Sequence, residues 1–153
     1  AAAENGKKFS HWEKDGKTVS YDETYRFYVT GAATVTAVYV NEGDTVEREA
    51  VLTMGSPVVL DGGKIAFFAE RDLPAEWKVI ETGILMSQSA EFEMDTAGVL
   101  KAASVSKENK GQYTVRKAGV SAGELWYGRA YVVYEVNGEV RTGYSEAVSA
   151  VGQ

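Results

Sequence analysis

The pair Asn137-Gly138 sits between two runs of alternating side chains, "ELWYGRAYVVYEV" and "EVRTGYSEAV". Asn-Gly readily takes the two positive-φ positions of a type I′ turn, whose twist matches that of the strands it joins. A two-residue turn also sets the register. Val136 is expected opposite Glu139, Tyr134 opposite Arg141, and Val132 opposite Gly143. Successive side chains alternate, so Trp126, Gly128, Ala130, Val132 and Tyr134 share one face of the first strand. Tyr127, Arg129, Tyr131, Val133 and Glu135 share the other. The face without charge is expected to be the core face.

A period of two dominates the rest of the chain, and helical periodicity is weak. Asp15-Gly16 offers hairpin chemistry before "KTVSY". "TYRFYVTG" alternates Tyr25, Phe27 and Val29 against Arg26, Tyr28 and Thr30. "ATVTAVYVN" sets Val35, Ala37 and Tyr39 against Thr34, Thr36, Val38 and Val40. Asn41–Asp44 reads as a turn. Short strands are expected at Ala50–Met54 and Pro57–Leu60 around Gly55-Ser56, and at Lys64–Glu70 after Asp61–Gly63. "EWKVIETGILMSQ" reads as a strand in which Gly83 marks a bulge or a close backbone approach. "AEFEMD" suits a half-exposed strand, and "TAGVLKAASVSKEN" a short helix or irregular crossover. "GQYTVRKAG" is a strand. About ten short strands with closely spaced turns predict an all-β protein, an antiparallel β-sandwich.

Nine Tyr, sixteen Gly and only two Pro suit sheets and tight turns. Sixteen basic residues against twenty-two acidic ones give a formal charge of −6. Without a Lys/Arg cluster, this balance argues against nucleic acid and anionic membrane as partners. No apolar run approaches the roughly 18 residues of a membrane span. The absence of cysteine removes disulfides, zinc–thiolate sites, iron–sulfur clusters and a thiol nucleophile. It leaves the compartment open.

The single histidine, His11, lies in Phe9-Ser10-His11-Trp12, with no second His or Cys to complete a metal site. A triad of Ser10, His11 and Asp15 is not expected, because neighbours along a strand point to opposite faces. Glu91, Glu93 and Asp95 share a face, as a glycosidase pair would, but that face reads as solvated. "NEGD" and "LDGG" are too sparse for a calcium loop, and "DGGK" lacks the spacing of a phosphate loop. No catalytic, cofactor or metal residues are therefore assigned, and the chain reads as a non-enzyme. The one binding chemistry the sequence offers is aromatic stacking, with Trp77, Tyr127 and Tyr131 as candidate ligand contacts and Trp77 as the best exposed.

Two stretches carry a family resemblance. Phe9–Trp12, the Asp15-Gly16 turn, Tyr25–Val29 and Thr34–Tyr39 resemble the second half of an internalin B-repeat, including its Listeria–Bacteroides-type versions. That implies a partial β-grasp-like segment over residues 1–45. The family's first strand and helix are not in this chain, so it reads as a piece of a longer, repetitive protein. "AGELWYGRAYVVYEVNGEVRTGYSE", with "ETGILMS" at Glu81–Ser87, is similar to fibronectin type III-like and bacterial Ig-like sandwiches. That implies a sandwich over residues 46–153. Trp126 stands where that pattern usually has tyrosine. Together the resemblances imply a structural or spacer module of a Gram-positive surface or secreted protein. Neighbouring domains of the same protein are then its partners. Adhesion, or recognition of a glycan or host protein through exposed aromatics, is the alternative. With only about 45 residues and an incomplete sheet, the first segment has a marginal core and is expected to pack against the sandwich.

Overall fold

The computed structural model describes residues 5–29 and 31–153. It is all-β and antiparallel, and its strands form three sheets. The first holds β1 (Lys7–Lys14), β2 (Lys17–Ser20) and β3 (Val35–Asn41) in the order β2-β1-β3. The other two face each other as a sandwich. One has β6 (Lys64–Asp72) at its centre, flanked by β4 (Val51–Met54) and β5 (Val58–Leu60) on one edge and β9 (Lys110–Ala118) on the other. The second runs β8 (Leu100–Ala103), β7 (Lys78–Ser87), β10 (Leu125–Val136), with β11 (Glu139–Tyr144) and β12 (Val148–Val151) sharing the far edge of β10.

The expected hairpin forms with the expected register: Val136 faces Glu139, Tyr134 faces Arg141 and Val132 faces Gly143. Asn137 and Gly138 hold φ of 52° and 79°, as a type I′ turn requires. The uncharged face is the core face. Ala130, Val132 and Tyr134 are buried there, and Gly128 lets the Phe67 ring of the opposite sheet come close. Ile65, Phe67, Ala69, Ile84, Met86, Val120 and Ala130 make the central cluster. Gly83 proves to be a close approach rather than a bulge. A Cβ there would lie 2.1 Å from the Ala102 carbonyl oxygen.

Three expectations fail. Tyr25–Val29 is not a strand. Since β2 and β3 are both antiparallel to the central β1, they are parallel to each other and must be joined by a crossover. The "TYRFYV" run is part of that crossover and has no strand partner; Thr30 lies outside the described residues. "AEFEMD" is a loop as well. Its Phe92 packs on Leu85 and Tyr131, closing a second small core over the outer face of β7 and β10, while Glu91, Glu93 and Asp95 stay exposed. "TAGVLKAASVSKEN" yields the edge strand β8 instead of a helix.

The first sheet is poorly buried. Every buried apolar side chain among the described residues lies between Ile65 and Tyr134. In the first sheet Phe9 packs on Trp12 and Tyr39, at centroid distances of 5.7 and 6.0 Å, and only Ser10 and Ser20 are buried. A sheet with so little enclosed apolar surface depends on what it docks against.

Candidate functional site

The aromatic residues expected to bind ligand are placed where they cannot all do so. Trp77 is 7% exposed and stacks on Tyr134, with centroids 4.8 Å apart and planes 2° from parallel. The turn from Pro74, closed by the Trp77 N–H donating to Pro74 O at 3.0 Å, leaves it folded inward, so it is not an exposed platform. Tyr131 is fully buried beneath the Phe92 loop. Its hydroxyl donates to Glu81 Oε1 at 2.8 Å, and Lys101 holds the same carboxylate at 2.9 Å. Lys101 and the Tyr131 hydroxyl lower the Glu81 pKa, while burial and Glu81 raise that of Tyr131. Tyr127 is half-buried in the same cluster. Trp12 and Trp126 are also half-buried, and Lys117 lies 4.4 Å over the Trp126 ring.

The reading of Ser10 and His11 needs one correction. A bulge between Phe9 and His11 interrupts the alternation. Ser10 Oγ therefore lies 2.8 Å from His11 Nδ1, and His11 Nε2 lies 3.3 Å from Glu13 Oε1. The bulge brings Ser10 to His11, which strict alternation forbids, while His11 and Glu13 share a face under it; Asp15 stands apart and accepts the Thr34 N–H. Ser10 is 6% exposed and lines neither groove at the joint described next, so the Ser10–His11–Glu13 line can hold the bulge but offers no room for a substrate.

The polar groups that converge from both halves of the chain lie at the joint between the first sheet and the sandwich. The buried Ser20 hydroxyl accepts the Asp22 N–H at 3.2 Å. Lys110, the cross-strand partner of Asp72, pairs with Asp22 from the first sheet's crossover and lies 3.8 Å from Asp72. The Glu49 N–H donates to the Tyr21 hydroxyl at 3.3 Å, and Lys17 reaches Glu146 at 3.1 Å. Burial pushes the Asp72 carboxyl up to about 6, against the lowering effect of Ser20. Burial lowers Lys110, and burial with Glu70 and Asp72 raises Tyr25.

Two hollows flank this contact. The smaller, about 120 Å³, is lined by Lys14, Val19, Tyr25, Val51, Glu70 and Asp72 among others. The larger is an open groove of about 790 Å³ between β2, β4 and Tyr144–Val148. Sequence reasoning missed the joint because its members are single polar residues at strand ends, scattered from Lys14 to Glu146. The only available signal was the marginal core of the first segment, which requires a docking surface without saying which. Comparison with protein-family models, curated proteins and solved structures finds no match for this chain.

Proposed function

We propose that this chain is a non-catalytic structural module of a larger bacterial cell-surface or secreted protein, a small β unit fixed to a β-sandwich. One observation carries the reading: contacts spread across the joint tie the two units together. Lys17–Glu146 lies at one side, Tyr21–Glu49 is a second tie, and Asp22–Lys110 a third. An exposed ion pair is worth little alone. Three separate ties resist rotation, as a spacer that transmits position or load requires. The joint lies toward the Asp72 end of β6, while Gly152 packs against Val120 and Ser121 beyond the Lys64 end. Eight residue steps of about 3.3 Å put those ends roughly 26 Å apart, so force would run along the sandwich.

The kinship with Ig-like and fibronectin type III-like sandwiches belongs to the proposal. With β4 and β5 counted as one interrupted strand beside β6, β8 is the fourth strand and pairs with β7, so the order is not that of a constant-type Ig domain, whose fourth strand lies on the opposite sheet. Gram-positive origin and neighbouring domains as partners belong to the same proposal.

The recognition reading moves to other residues. Phe27, Tyr28 and Val29 in the crossover are 39%, 81% and 79% exposed, and Phe27 stacks on Tyr25 at 5.3 Å. Limited proteolysis and a glycan array separate the two readings. A rigid spacer keeps residues 5–44 attached through a digestion that nicks exposed loops, and it binds no glycan. Rapid loss of that segment would overturn the spacer reading, and glycan binding abolished by Tyr28→Ala would establish the alternative.

A further inference from the structure

We propose that the joint is pH-tuned, the first sheet holding the sandwich more tightly when the Asp72 carboxyl carries a proton. The proposal rests on the reading of this joint as the structural contact of the module. Its basis is an imbalance of charge in a partly enclosed place. Facing Asp72 are Glu70 on its own strand, Lys110 on β9, Asp22, Ser20 and Tyr25 from the first sheet and its crossover, and Lys14 across the small hollow. Lys14 sits 5.3 Å over the Phe27 ring, and from β4 come only the uncharged Val51 and Thr53. Two carboxylates, Asp22 and Asp72, thus share the Lys110 ammonium, with Glu70 two residues along the strand from Asp72 and Lys14 across the hollow, and the Asp72 side chain is only 17% exposed.

Protonating Asp72 removes one negative charge, ends its repulsion with Glu70 and leaves Lys110 to Asp22. The docked form therefore takes up a proton that the undocked form releases. A carboxyl standing at about 6 in the docked chain favours docking below that pH by the part of the shift that docking adds, and loses the effect as pH rises through it. Between pH about 7.5 and about 5, linkage gives a gain in the docking constant of up to about tenfold, the full figure holding when docking adds the whole shift.

Amide hydrogen exchange on the whole chain tests this, corrected for intrinsic rates and read at Thr18–Asp22 against β10 as an internal reference. Protection at Thr18–Asp22 is expected to be higher at pH about 5 than at about 7.5, by up to about tenfold. Asp72→Asn should hold the acid level at both pH values, and Lys110→Gln should enlarge the response by removing the counter-charge. His11→Gln, a change outside the Asp72 contacts, must leave the response intact. Equal or reversed protection, or a response that survives Asp72→Asn with β10 still protected, overturns the proposal. So does an intact mass one water lighter than the sequence, because Lys110 amide-linked to Asp22 would make the joint covalent. Flat protection with residues 5–44 retained on proteolysis defeats only the pH dependence. Loss of that segment defeats the structural reading beneath it.

Discussion

Replacing Gly128 by alanine adds one methyl group between the two sheets of the sandwich. The built position of that carbon lies 2.4, 2.7 and 2.8 Å from three atoms of the Phe67 ring, whereas ordinary contact begins at 3.4 Å. The ring would have to withdraw by about 1 Å, the difference between 3.4 and 2.4 Å. It has nowhere to go, since Phe67 is fully buried among Ile65, Ile84, Met86 and Ala130. Overpacking of this kind costs about 1–3 kcal/mol. Removing a glycine from a strand returns about 0.5–1 kcal/mol of backbone entropy. The net expectation is a loss of about 1–2 kcal/mol, a fall in Tm of roughly 3–6 °C for a chain of this size. Urea unfolding followed by tryptophan fluorescence reads it, because Trp77 and Trp126 both lie in the sandwich. Phe67→Leu shortens the obstructing side chain, so Gly128→Ala should cost less in that background, with a coupling of about 1 kcal/mol. A Gly128→Ala protein as stable as the parent would refute the reasoning. So would strict additivity with Phe67→Leu, because either result means that these residues do not meet across the core.

Other consequences follow from the same packing. Gly83→Ala drives a methyl into the Ala102 carbonyl at 2.1 Å, so β8 should detach; hydrogen exchange at Lys101–Ala103 will rise while β10 stays protected. Trp77→Ala should cost about 3–5 kcal/mol, measured by thermal unfolding, because it empties a stacked core position. Tyr131→Phe should cost about 1 kcal/mol in urea through loss of the Glu81 hydrogen bond. In an alkaline absorbance titration, the variant should lack the last tyrosine to ionise.

Much of the sandwich is written locally. Asn137-Gly138 forces a two-residue turn, the turn sets register, and alternation from Trp126 to Tyr134 then says which face is dry. The turn and the faces depend on neighbours one or two residues away. Gly83 left a bulge and a close approach open, and the Ala102 backbone on β8 decided for the second. Other features were decided by partners distant along the chain. Alternation in "TYRFYV" looks like a strand, yet the parallel relation of β2 and β3 makes it a crossover. Phe92 and Met94 alternate with carboxylates, yet their apolar side chains are used as a loop lid over Tyr131. That lid is why Tyr131, on the charged face of β10, is nevertheless fully buried. Trp77 has the composition of a binding residue and the position of a core one. The joint is the extreme case: Asp72 and Lys110 are ordinary cross-strand partners, and Asp22 reaches them only when the first sheet docks on the sandwich. Period-two hydrophobicity therefore determined the β10–β11 hairpin and its dry face, but not which alternating runs become strands. Only the tertiary structure decided which polar residues share an enclosed space, because burial and charge pairing depend on distance in the folded chain.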